Sequence, residues 1–315
     1  MSRRGWVWGL GSLLLLSSCA GEKRPAQAPD TIVVGNEKPA PAAEPEALPK
    51  VKGVIVWSRP EDADQATSYW LDPEGNVLKQ EPGIFLLADG KQWQFSTAKG
   101  RMPVFECEAV MAGTPAEPTD YKESVVPSLI EDRTHRGWDL WEQPSPGPEE
   151  RYADYSQSVT LVASAGRYLV LGDHTWVYGC GAHGFGVASY TAYDLQKKEK
   201  VSLLSDAETY ALKGHELARA VAAFKAAGDG FDEPREEQVT LINAVPEVTS
   251  EGQQRVQLVF SIGACYACSH GEGSSYTATT RVVAEGLPRA LAEQPLPRAV
   301  AVFAASHAIS GWTAQ

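Results

Sequence analysis

The chain is poor in positive charge. Its 315 residues carry 28 Lys and Arg against 40 Asp and Glu, a formal charge of −12. No cluster of Lys and Arg stands out. Contacts to phosphate dominate nucleic-acid binding and need such clusters, so the composition excludes a nucleic-acid partner. No apolar run reaches the roughly 18 residues that a membrane-spanning helix requires. No internal repeat is visible. The signatures of the common catalytic centres are also missing. There is no Gly-x-Ser-x-Gly elbow and no phosphate-cradling Gly-Lys-Ser. His215-Glu216 opens like a zinc-protease helix, but Arg219 stands where the second histidine is needed. Carboxylates abound without a framed pair, and acidic runs such as 61–64 and 233–237 read as solvated faces. Neither a cofactor nor a resident metal is expected from these absences.

What is present begins at the N-terminus. Arg3 and Arg4 precede an apolar run from Trp6 to Leu16, which ends in Leu16-Ser17-Ser18-Cys19. The length suits a signal peptide. The last four residues resemble the lipobox of bacterial lipoproteins. That resemblance implies cleavage before Cys19 and acylation of Cys19, with palmitate among the added chains. Loss of Arg3 and Arg4 with residues 1–18 leaves 26 basic against 40 acidic residues, or −14. More than one acyl chain gives stable anchoring. Ala20 follows Cys19, with no aspartate to hold the protein at an inner membrane, so the expected location is the outer membrane of a bacterial cell envelope. Residues 19–50 are rich in Pro, Ala and Glu and read as a disordered, semi-rigid tether.

The remainder predicts an α+β fold, antiparallel sheets with one main amphipathic helix. Residues 51–156 read as a β-rich N-terminal subdomain. Asp89-Gly90 marks a hairpin, and a strand over 104–110 is expected to bury Phe105 and Cys107 while exposing Glu106 and Glu108. Prolines 115, 118, 127, 144, 146 and 148 are expected to break anything long over 112–156. Residues 157–315 read as an α+β domain. Val159–Ala163 and Tyr168–Leu171 flank a turn at Ala165-Gly166. Ser205 and Glu208 form a capping box that opens the helix, with Tyr210, Leu217, Val221 and Phe224 on its buried face and Gly228 and Gly230 at its end. Ala299–Ala305 is an apolar segment expected to dock on the body.

The densest run of unusual residues is Tyr178-Gly179-Cys180-Gly181-Ala182-His183-Gly184-Phe185-Gly186. Glycines within a strand pattern mark a bulge or a place where another backbone comes close. His183, Gly181 and Gly184 are therefore the candidate ligand-binding residues, with His174 and His270 as partners that folding would have to bring near. Cys107, Cys180, Cys265 and Cys268 form an even set. In an oxidising compartment this predicts two disulfides, with three connectivities open. The alternative is a metal-dependent or hydrolytic envelope enzyme that uses His183 with Cys180, Cys265 and Cys268. Six tryptophans, at 57, 70, 93, 138, 141 and 176, either fill the core or line a sugar-binding groove, and the core is the expectation.

The run 178–184, then Tyr190-Thr191-Ala192-Tyr193-Asp194-Leu195, then Val201-Ser202-Leu203-Leu204 ahead of a helix, resembles the extracellular domain shared by a lysozyme-sensing anti-sigma factor and certain peptidoglycan deacetylases. Cys180 stands where that family prefers glycine. The resemblance implies a non-catalytic envelope domain. Its expected partners are the bacterial membrane, through the lipid anchor, and an envelope protein or peptidoglycan.

Overall fold

The computed structural model describes residues 53–60, 65–113, 116–141, 151–181, 184–227, 234–263 and 277–314. Its central element is an eight-stranded sheet. β1 (Val54–Ser58), β2 (Thr67–Leu71) and β3 (Val77–Pro82) form one flank. β8 (Asp154–Ala165), β9 (Tyr168–Tyr178), β10 (Phe185–Asp194) and β11 (Glu199–Val201) form the other. The last strand, β15 (Gly311–Ala314), joins the flanks in the order β11-β10-β9-β8-β15-β1-β2-β3. It runs antiparallel to β1 and parallel to β8.

Side-chain alternation sets what lies on each face. Val56, Val170 and Ala192 belong to one apolar cluster, while their neighbours Trp57, Leu169, Leu171 and Tyr193 belong to another. Successive residues of a strand point to opposite faces, so a central sheet covered on both sides needs apolar residues at both parities. The first cluster is completed by the sheet β12 (Val239–Val248), β13 (Gln254–Gly263) and β14 (Thr277–Val283). The helices α2 (Asp206–Ala227), α3 (Arg289–Ala292) and α4 (Arg298–Ala304) also contribute to it. The second cluster is completed by the sheet β4 (Ile84–Ala88), β5 (Lys91–Val104), β6 (Asp120–Glu131) and β7 (Gly137–Asp139). The result is three layers in an α+β arrangement, dominated by antiparallel pairing. Residues Lys50–Gln315 cluster as one unit.

Local chemistry accounts for much of this. Asp89 (φ 51°) and Gly90 (φ 72°) both take the left-handed conformation of a two-residue hairpin turn between β4 and β5. Gly166 (φ 57°) turns β8 into β9. Ser205 Oγ accepts from Glu208 N at 3.3 Å while Glu208 Oε2 accepts from Ser205 N at 2.9 Å, the reciprocal pair that opens α2. α4 buries Ala299, Val300, Phe303 and Ala304.

Several expectations are corrected. β5 stops at Val104, and residues 107–112 form a short helix, α1 (Cys107–Ala112), so Phe105 is buried but Cys107 is exposed. β6 runs through Pro127, whose carbonyl accepts from Leu140 N at 2.8 Å. On α2 the fully buried residues are Glu216, Ala220 and Phe224, and Tyr210 is 85% exposed. The division at 156/157 falls inside β8, and the central sheet draws strands from both sides of it. Residues 1–18 and 19–50, with Cys19, and Gly228 and Gly230 at the helix end lie outside the described residues. No helix among the described residues is long and apolar enough to cross a membrane.

Candidate functional site

The β9–β10 hairpin carries the glycine-rich run. Val177 and Phe185 are the last paired residues, and the connection begins at Gly179. Cys180, in the left-handed region at φ 62°, is bonded to Cys107 on α1, with 5.4 Å between the Cα atoms. The bridge ties the layer of β4–β7 to the end of the central sheet. Of the open connectivities, this is the pair that forms. Cys265 and Cys268 lie outside the described residues, as do His183 and His270. The Cys180 sulfur, being in a disulfide, is not a thiolate ligand. Among the described residues no group of three metal-ligating side chains comes together.

Gly181 is exposed, and its carbonyl accepts from the Tyr178 hydroxyl at 3.1 Å. Tyr178 stacks on Trp176 with 6.5 Å between ring centres. Gly184 is buried against the same indole. A Cβ there would lie 2.2 Å from Trp176 Cζ2, so only glycine fits. The group that comes close is a side chain, that of Trp176, rather than another backbone.

Trp176 belongs to a groove of about 480 Å³ on the face that carries β14. Two rows across the sheet build it, Ser156–Trp176–Gly186 and Ser158–His174–Ala188, and Thr279 of β14 closes one side. In each row a large side chain sits between two small ones, which leaves the concavity. The sequence signal for it is the spacing of small residues, Ser156 with Ser158 and Gly186 with Ala188, which carries meaning only once the strands are paired. The indole N–H of Trp176 is buried and finds no acceptor among the described residues. His174 is exposed. The opposite parity is tied down, because Asp173 accepts from Gln157 Nε2 at 3.2 Å and from Thr175 Oγ1 at 3.0 Å. Burial, then the charge of Asp173, pushes the Tyr155 hydroxyl up to about 12. The groove offers hydroxyls, one imidazole and one indole, groups that can donate and accept hydrogen bonds to a ligand.

The His215-Glu216 pair serves the fold. Glu216 is fully buried, with Arg219 Nη1 2.5 Å from Oε2 and His215 Nδ1 3.2 Å from Oε1. Arg219 Nη1 also donates to the Val283 carbonyl at 2.9 Å, which pins α2 to β14. The tryptophans divide. Trp57, Trp70 and Trp93 are core residues, whereas Trp138, Trp141 and Trp176 are half-buried at grooves. No protein-family model, curated protein or solved structure matches the chain.

Proposed function

We propose that this chain is a lipid-anchored domain of the bacterial cell envelope, held at the outer membrane through Cys19, that binds an envelope protein or peptidoglycan and carries out no chemistry. The observation that carries the binding reading is the groove built on the rows Ser156–Trp176–Gly186 and Ser158–His174–Ala188. A concave site of this size that sets several polar groups around an aromatic ring suits recognition of a small ligand. The Cys107–Cys180 bridge supports an oxidising compartment. The likeness of residues 178–204 to an envelope domain points the same way.

The test uses the full chain, purified with its anchor and immobilised. Envelope extract and isolated peptidoglycan are passed over it and over a Ser158→Tyr variant, in which an exposed groove position is filled. Retention of peptidoglycan or of a defined envelope protein by the parent chain, reduced in the variant, is expected. Retention of neither overturns the reading. Labelled palmitate should enter the parent chain but not a Cys19→Ser chain. Labelling of both, or of neither, removes the anchor.

A further inference from the structure

A second groove, of about 550 Å³, lies on the other side of the central sheet, where β7 meets the β10–β11 hairpin. Trp138, Asp139 and Trp141 line one wall, Lys198, Glu199 and Lys200 the other, and Tyr193 lies between them.

The sequence builds each wall separately. Asp194, fully buried, shapes the β10–β11 turn. Its Oδ1 accepts from Gln196 N at 2.9 Å and Lys197 N at 3.2 Å, and its Oδ2 lies 3.2 Å from Arg167 Nε as an ion pair. Lys198 takes the left-handed conformation (φ 57°), with its N–H on the Asp194 carbonyl at 2.8 Å. Register places Lys200 opposite Tyr193. On the other wall, Trp141 Nε1 donates to the Val125 carbonyl at 3.3 Å, and both indoles pack against the apolar cluster of the inner face.

The charge balance of this groove differs from that of the whole chain. Glu199 is paired with Lys197 at 3.6 Å. Lys198 lies over the Trp93 ring at 5.3 Å. The lining sums to zero formal charge, Lys198 and Lys200 against Asp139 and Glu199, in a chain of −12, and neither Lys198 nor Lys200 has a carboxylate partner among the described residues. Tyr193 underlies the groove; it is 1% exposed, and its hydroxyl is enclosed within the protein.

We infer that this groove binds a saccharide bearing a carboxylate. Half-buried indoles offer flat apolar surface to the C–H face of a sugar ring. Asp139 matches sugar hydroxyls, and the two lysines match the carboxylate. The volume is that of a small-ligand site, whereas a protein partner needs an interface of some 800 Å² on each side. The inference deepens the envelope-binding reading by naming a second groove and its ligand chemistry, and it rests on that reading only for the source of the sugar.

Isothermal titration of the full chain tests it with three probes: an N-acetylglucosamine–N-acetylmuramic acid disaccharide, a tetrasaccharide alternating N-acetylglucosamine with glucuronic acid, and a neutral N-acetylglucosamine tetramer. At least one carboxylated probe should bind about tenfold more tightly than the neutral one, since one charge-assisted contact accounts for that ratio. Preference for the muramic disaccharide assigns the ligand to peptidoglycan, and preference for the uronate to an acidic polysaccharide. The double variant Lys198→Ala/Lys200→Ala, at exposed positions, should lose the preference, and Lys99→Ala, an exposed cation outside both grooves, should keep it. Equal binding of neutral and charged probes, no binding at millimolar concentration, or an unaltered double variant overturns the inference. If peptidoglycan is still retained by the immobilised chain in that case, the envelope-binding reading stands without it.

Discussion

The indole N–H of Trp57 on β1 donates to the hydroxyl of Ser164 on β8 at 2.8 Å, although β15 lies between the two strands. Register puts Trp57 opposite Gly311 and Gly311 opposite Ser164, so the tryptophan reaches over the glycine. A Cβ at Gly311 would meet Ser164 Oγ at 2.4 Å, Ser164 N at 2.5 Å and Trp57 Nε1 at 2.7 Å. One contact is backbone, so the row cannot relax by turning a side chain. Gly311→Ala should cost about 3 kcal/mol, the upper end of the range for overpacking. Trp57→Phe removes the donor together with part of the ring, and loss of the hydrogen bond should add about 1–2 kcal/mol to the cost of the lost area. Urea denaturation measures both. An alanine variant as stable as the parent would mean that β15 does not occupy this slot.

The disulfide gives a second prediction. Cys107 and Cys180 are 73 residues apart, and closing a loop of that length in the unfolded chain stabilises the fold by about 4 kcal/mol on chain-entropy grounds. Cys107 is exposed, so mild reductant should reach the bridge without prior unfolding. Reduction, or Cys107→Ser, should lower the denaturation midpoint and leave far-UV dichroism unchanged below the transition. Insensitivity of the midpoint to reductant would show that the bridge carries no stability.

How far the sequence reveals this fold depends on range. The Asp89-Gly90 and Gly166 turns and the Ser205–Glu208 cap are local, each decided by a few residues, and each was legible. Tyr210 was misplaced because apolar spacing alone cannot tell a stripe of Glu216, Ala220 and Phe224 from its neighbour. A buried carboxylate reads as surface until its partner is seen. β15 escaped because four residues carry almost no periodicity, and its place between β1 and β8 comes from the Gly311 contact. Phe105, Glu106, Cys107 and Glu108 alternate apolar and acidic as a strand would, yet the chain turns into the helix Cys107–Ala112. The glycine-rich run holds one half of the disulfide and the Gly184–Trp176 contact, but the grooves beside and behind it depend on which strands are neighbours, and pairing of that kind is not written locally.

Acid sensitivity gives the third prediction. Glu208 accepts from Arg289 N at 2.7 Å at the head of α3, and from Ser205 N at 2.9 Å and Oγ at 2.7 Å at the head of α2. The Arg289 bond first, then those from Ser205, hold its carboxyl below the usual range. A carboxylate lowered in the fold contributes stability that is fully present above its unfolded value of about 4.3 and is lost as pH falls through the lowered value. Glu208→Gln should therefore be less stable than the parent at pH 7, with the gap closing below pH of about 4. A gap that stays constant down to pH 3 would show that the charge of Glu208 plays no part.

The buried carboxylate of α2 gives the last prediction, and its sign is not the intuitive one. Glu216 has no exposed surface, while its partner Arg219 keeps 53% of its side chain in solvent. Removing the arginine leaves a buried carboxylate with only the neighbouring His215 ring, and breaking a buried pair in this way costs about 3 kcal/mol. Removing the glutamate instead frees a guanidinium that water already reaches and that still donates to the Val283 carbonyl. A leucine at 216 also suits the apolar stripe beside Ala220 and Phe224. Arg219→Ala should therefore destabilise markedly, and Glu216→Leu by about 1 kcal/mol or less. The double variant should sit close to Glu216→Leu, because once the carboxylate is gone the arginine has little left to offset. Equilibrium denaturation of the three chains closes the cycle. If Glu216→Leu proves the more damaging single change, then the carboxylate itself, and not its neutralisation, is what α2 requires at this position.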